Sequence, residues 1–178
     1  MSKSQVAILA AGCFWCIQEI LDRTLGVVKT EVGYTGSDFK NPNYEQVCDG
    51  DTGHYEAIYV EFNPDILSYE KLIMVYLSCV DPENPYGQFC DIGTQYRLAI
   101  FYKNLDEKAT AKKILDEYKL HHHLKIMHID LLPSTKFYAA ESYHQKFYEK
   151  NPSRYLSYKE HSGRKERLKE LERKKTNS

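Results

Sequence analysis

An apolar run, Gln5–Ala11, stops at Gly12 and gives way at once to a segment of helical period. That junction narrows the folds open to the chain. The run is too short for a core helix and reads as a buried strand. After it, Phe14, Ile17, Leu21 and Leu25 recur at helical spacing, so Cys13–Arg23 reads as a helix ended by Gly26. Val27–Tyr34 is rich in Val and Thr and reads as a second strand, followed by a long loop with Gly33, Gly36, Asn41, Pro42 and Asn43. Tyr55–Phe62 alternates as a third strand. Ser68 is placed to cap a helix carrying Leu72, Ile73, Tyr76 and Leu77 on one face. Gln95–Tyr102 then reads as a fourth strand, after a loop with Pro82, Pro85, Gly87 and Gly93. The order β-α-β-β-α-β is the split βαβ, or ferredoxin-like, arrangement of the α+β class. Beyond this core, Asn104 and Glu107 resemble a capping box that opens a helix to about Leu120. Ile126–Leu131 reads as a fifth strand and Phe137–Tyr148 as a short helix.

The chain has 178 residues, the size of one domain, and 42% of them are hydrophobic, enough for a core. We expect a single α+β domain over residues 1–158 and a basic tail or helix over 159–178, where eight Lys/Arg face four Asp/Glu. A formal net charge of −1 gives no global footprint for nucleic acid or an anionic membrane. The basic end reads as a solvated face rather than a nucleic-acid arm. The five cysteines, Cys13, Cys16, Cys48, Cys79 and Cys90, are an odd count that argues against a fully paired secreted framework. With no visible secretory signal and no stretch long enough to span a bilayer, the expectation is a cytoplasmic protein, a monomer, off the membrane.

Cys13 follows a strand and a glycine and starts a helix. Unpaired backbone N–H groups and the positive end of the helix dipole favour an anion there. Gly12 would let a ligand approach the backbone closely. Cys13 alone reads equally well as a buried structural cysteine. Cys16 lies one turn on, on the same face, where its thiol can attack an oxidised Cys13 and close a disulfide. Between them stand Phe14 and Trp15, two large rings that can cradle a methyl or thioether group or simply pack into the core. Zinc would need a second pair of ligands, and Cys48, His54 and Cys90 offer no second tight spacing. The run His121–His123 fans around a helix axis rather than converging.

Gly12-Cys13-Phe14-Trp15 resembles the signature of the A-type peptide-methionine (S)-S-oxide reductases. Gly33-Tyr34-Thr35-Gly36, Tyr44–Cys48, Thr52–Glu56, Asp91–Arg97 and Ala140–Gln145 are similar to later blocks of that family, in the same order. The likeness runs from the first strand to about Pro152. There are departures: Cys16 stands where Gly is frequent, Tyr55 where a small residue is usual (which would alter the pocket floor), Cys90 where Asn is common, and Leu98 where Ser is frequent.

The resemblance implies reduction of methionine (S)-sulfoxide, free or in proteins, by attack of a Cys13 thiolate on sulfur. It implies Glu56 as the proton donor and Tyr34 and Tyr96 as hydroxyl donors to the oxygen. Asp91 would orient the site, and Phe14 and Trp15 would hold the methyl group. Cys13 would become a sulfenic acid, which condenses with Cys16, or with Cys90 as second choice, to a disulfide that thioredoxin reduces. No bound cofactor or metal is implied. Two rival readings of Cys13 and Cys16 remain: a general thiol–disulfide oxidoreductase, and a redox-sensing or metal-binding module without turnover.

Overall fold

The computed structural model describes residues 3–176. The elements run β1 (Gln5–Ala11), α1 (Phe14–Asp22), β2 (Val27–Thr35), α2 (Tyr44–Cys48), β3 (Tyr55–Phe62) and α3 (Tyr69–Ser78). A small hairpin, β4 (Gly87–Gln88) and β5 (Asp91–Ile92), precedes β6 (Leu98–Tyr102), α4 (Leu105–His121), β7 (Ile129–Pro133) and β8 (Tyr138–Ala139). Helices α5 (Phe147–Lys150), α6 (Pro152–His161) and α7 (Arg164–Thr176) close the chain. The main sheet has the order β7-β6-β1-β3-β2-β8. Its inner four strands, β6-β1-β3-β2, are antiparallel and make the expected ferredoxin-like core. β7 adds in parallel beside β6, and β8 extends the edge beside β2.

The period of two along each strand sorts the chemistry onto one face. Leu9 and Ala11 of β1, Val32 and Tyr34 of β2, and Ile58, Val60 and Phe62 of β3 pack under Ile17 and Leu21 of α1 and Leu72, Ile73 and Tyr76 of α3. Glu56 shares that helix-covered face, since it pairs with Tyr34 across the β2–β3 ladder. Tyr55 points the other way. Its ring meets Phe101 at 5.6 Å, and its hydroxyl donates to Asp130 Oδ2 at 2.9 Å, so it forms no part of a pocket floor beside Glu56.

Ser68 caps α3 by accepting from Lys71 N–H at 3.3 Å, and Asn104 caps α4 by accepting from Glu107 N–H at 2.8 Å. Elsewhere the boundaries move. Leu25 is 81% exposed, beyond the end of α1, because the helix stops once its inward stripe is complete at Leu21. Residues 94–96 form a single 3₁₀ turn rather than the start of β6, and the fifth strand lies at Ile129–Pro133. The expected helix over Phe137–Tyr148 is a strand and a turn that reach helix only at Phe147, where α5 begins. A Cβ on Gly33 would stand 2.2 Å from the Tyr138 carbonyl oxygen, so the glycine admits β8 to the edge of β2. Gln145 continues that edge with its side chain, accepting from Val32 N–H at 2.9 Å and donating to Val32 O at 2.8 Å. Lys146, at φ +51°, stands just before α5 and bars an uninterrupted helix through it. α2 arises within the expected loop through a capping box between Asn43 and Gln46.

At the β1–α1 junction Gly12 takes φ +78°, and a Cβ there would lie 2.5 Å from Gln88 Cβ. Gln88 is itself fixed: it accepts from Asp81 N–H and donates to Asp81 O, both at 2.8 Å. The glycine therefore makes room for the 81–88 loop. We expect Gly12→Ala to lower the unfolding free energy by roughly 2–4 kcal/mol, from strain and overpacking together. An unchanged urea midpoint would show that the loop yields freely.

Candidate active site

Cys13 is the residue that leads β1 into α1. Its backbone, at φ −52° and ψ 119°, caps the helix without a side-chain cap bond, so the first N–H groups of α1 are left for other partners. One of those partners is Glu56: Phe14 N–H donates to its Oε2 at 3.1 Å. Glu56 is 2% exposed, Cys13 6% and Cys16 1%. Tyr34, the cross-strand neighbour of Glu56, packs its ring 6.0 Å from that of Phe14. Tyr96 arrives from the turn before β6, within the field of Glu56. Asp91 comes from the β4–β5 hairpin and accepts from the Tyr158 hydroxyl of α6. Thus the residues singled out in four separate stretches, 12–16, 34, 56 and 91–96, converge.

Burial sets the electrostatics. It pushes Glu56 up to about 8, with the Asp91 and Cys16 charges adding to the effect and the Phe14 N–H opposing it. The carboxyl is therefore largely protonated at neutral pH, and with Oε2 accepting from Phe14 the proton belongs on Oε1. Burial also raises Tyr34 and Tyr96, which stay neutral. The two thiols form a hydrogen-bonded pair that carries one negative charge. Cys16 receives the Cys13 S–H, which brings it down to about 6, helped by Arg164 and the Tyr155 hydroxyl. Cys13 goes up, by burial first, then by Cys16 and the Glu56 and Asp91 carboxyls. At Cys13, desolvation and the nearby acids act against the pull of the helix start.

Other placements refine the reading. The Tyr34 hydroxyl already donates to Glu141 Oε2 at 2.8 Å, and Glu141 Oε1 accepts from Tyr44 N–H at 2.8 Å. Phe14 is buried in the main core. Trp15 is the half-exposed ring, stacked on Phe147 at 3.9 Å, with its indole N–H donating to His144 Nδ1 at 3.1 Å. That bond places the His144 proton on Nε2, and burial lowers its pKa to about 4, so the imidazole is neutral. Cys90 is exposed.

Glu141 and His144 lie within the late block, where sequence alone assigns them no role. Tyr155 and Tyr158 stand one turn apart on α6, a spacing that by itself signals only a shared helix face. Among the described residues, no group of three or more His, Cys, Asp or Glu is placed to hold a metal ion, and no helix is long and apolar enough to cross a membrane.

The model of the peptide methionine sulfoxide reductase family matches residues 5–176. The chain is 44% identical over 165 residues to the peptide methionine sulfoxide reductase MsrA of Bacillus velezensis, covering 91% of this chain and 92% of that one. Among solved structures, it resembles methionine sulfoxide reductase A of Corynebacterium diphtheriae, with a TM-score of 0.80, 29% identity and coverage of 85% and 77%. It also resembles reduced Mxr1 of Saccharomyces cerevisiae, with a TM-score of 0.79, 31% identity and coverage of 85% and 87%. Mxr1 has also been solved in complex with Trx2, a form whose likeness to this chain is one of fold, at 19% identity and a TM-score of 0.58. With its matching core, converging site and sequence kinship over nearly its whole described length, this chain belongs to the peptide methionine sulfoxide reductase family, on the MsrA side.

Proposed function

We propose that this chain reduces methionine (S)-sulfoxide with Cys13 as nucleophile, Glu56 as proton donor and Cys16 as resolving thiol. The observation that carries the reading is the buried, protonated Glu56, tied by Phe14 N–H to the helix turn that bears Cys13. A sulfoxide needs a nucleophile on sulfur and a proton for oxygen, and the two stand on one tether.

The proton shared between the sulfurs passes to Cys16 as Cys13 attacks. Glu56 protonates the departing oxygen, and the Tyr96 hydroxyl offers it a second donor. The Tyr34 hydroxyl, held by Glu141, serves rather to fix the site's wall. Trp15 presents a ring for the substrate methyl, backed by Phe147 and locked by His144, while Phe14 supports it from the core. Asp91 orients the site through Tyr158. The oxygen ends on Cys13 as sulfenic acid and methionine leaves. The Cys16 thiol then displaces the oxygen as water, closing a Cys13–Cys16 disulfide. A thioredoxin dithiol reduces that disulfide and is itself oxidised. The complex of the yeast relative with Trx2 supports this step. Residues 1–158 supply the reacting groups of this cycle, the basic segment from 159 onward adds the buried Arg164 beside them, and no cofactor enters it. We place the protein in the cytoplasm as a monomer, a setting that suits its odd set of cysteines.

Incubation with dithiothreitol and each sulfur epimer of methionine sulfoxide tests the reading at once. The S epimer alone should turn over; insulin disulfide reduction without sulfoxide turnover would favour a general oxidoreductase. Cys13→Ser should abolish turnover, and substantial residual activity would remove the nucleophile assignment. Cys16→Ser should still release stoichiometric methionine once but lose recycling by thioredoxin; normal recycling would shift resolution to Cys90 or to direct reduction. Glu56→Gln should slow the first turnover by about 10²–10⁴-fold. Since the acid form of Glu56 is needed and its pKa is about 8, the native first-turnover rate should fall as pH rises through that value. The Gln variant should lack this limb, and a limb that persists in it belongs to another group.

A further inference from the structure

The C-terminal basic segment contributes a residue that its composition does not foretell. Arg164, first residue of α7, is 5% exposed. Its Nη1 donates to the Cys79 carbonyl oxygen at 2.5 Å, and its guanidinium lies 4.3 Å over the Phe89 ring. Nε and Nη2 are buried without a hydrogen-bond partner. A buried cation with two idle donors is costly unless an anion stands near enough to compensate it. The negative groups that its charge favours are the Cys16 sulfur and the Asp91 carboxylate, the latter two residues from the Phe89 ring it covers. Arg167, one turn on, takes the surface acids Asp81 and Glu83 at 2.7 and 3.0 Å, which leaves Arg164 to the interior.

We propose that Arg164 is a positioning residue for the recycling half of the reaction, holding the Cys16 sulfur as a thiolate while it resolves the oxidised Cys13. The proposal rests on the reading of Cys16 as the resolving thiol. In the reduced protein the Cys13 S–H is the main stabiliser of the Cys16 anion. Once Cys13 carries oxygen, that thiol proton is gone. The Tyr155 hydroxyl remains, but its proton goes to Glu19 Oε2 at 2.6 Å. The guanidinium is then the charge left to favour loss of the proton that Cys16 took up as Cys13 attacked. The Asp91 carboxylate beside β4 opposes it, as does Glu56 on β3 once it has given up its proton; the thiols of Cys79 and Cys90 and the hydroxyl of Tyr158 also feel the Cys16 charge but carry none of their own. Resolution moves no atom onto Arg164: Cys16 gives up its proton, its sulfur bonds Cys13 sulfur, the S–O bond breaks, and the oxygen leaves as water with its own hydrogen and the proton from Cys16.

The test follows disulfide formation after one equivalent of methionine sulfoxide, without thioredoxin, from pH 5 to 9, with the bridged cysteines mapped by mass spectrometry. Removing the positive charge raises the Cys16 pKa, so the acid limb should move to higher pH. Arg164→Met should shift it by about one unit, a ~10-fold slower closure on the acid side that recovers at high pH. Arg164→Gln keeps a donor for the Cys79 carbonyl but no charge. It should shift equally, which keeps the test open should the Met variant not fold. Arg164→Lys should retain the native profile. A Cys13–Cys16 bridge forming in both neutral variants with the native pH profile, or slowed equally at every pH, would overturn the proposal and leave the Cys16 reading intact. A native bridge that maps to Cys90 instead would overturn the Cys16 reading itself.

Discussion

The hydrogen bond from Phe14 N–H to Glu56 Oε2 couples the two halves of the site, because it ties the central strand β3 to the opening turn of α1. The helix start has an orphan donor to satisfy, and the buried carboxyl has an acceptor to satisfy. Each covers the other's desolvation cost, which for an unmet buried group is about 1–3 kcal/mol. The bond also chooses a protonation geometry. With one oxygen committed to the backbone, the proton resides on the other, which is what an acid needs to deliver it.

Around that tether, the site concentrates acidic groups in a small dry volume. Two thiols, Glu56 and Asp91 cannot all be anionic there. The arrangement resolves the conflict by sharing: the thiol pair takes one charge between two sulfurs, Glu56 keeps its proton, and Asp91 is held by Tyr158. The aromatic layer makes this possible by excluding water. Its rings are themselves fixed by polar handles: Trp15 by His144, Tyr34 by Glu141 and Tyr155 by Glu19.

The elements after β8 complete this enclosure. α5 sets Phe147 under Trp15, α6 sets Tyr155 and Tyr158 beside Cys16 and Asp91, and α7 brings in Arg164. Arg167 clips α7 to the loop that Gln88 and Gly12 fix against the start of α1. The C-terminal helices are thus tied mechanically to the same junction that presents Cys13.

The core of the fold was legible because hydrophobic period reports strands and helices directly, but the burial of Glu56 was not: on pattern alone a carboxylate in the alternating strand Tyr55–Phe62 reads as facing outward. Ser68 and Asn104 marked helix starts through local bonds that need no partner beyond the next turn. Cys13, Cys16, Phe14 and Trp15 stood out because they are adjacent in the chain. What the sequence hid depends on distant partners. Gly12 makes room for Gln88, Phe137–Tyr148 follows the edge of β2 instead of its own helical tendency, and burial and neighbours decide which protons the thiol pair keeps. Arg164 looked like one cation in a solvated run. Local pattern records which residues can be buried; only packing decides beside whom, and the ionisation of a buried group is set by its neighbours and not by its own side chain.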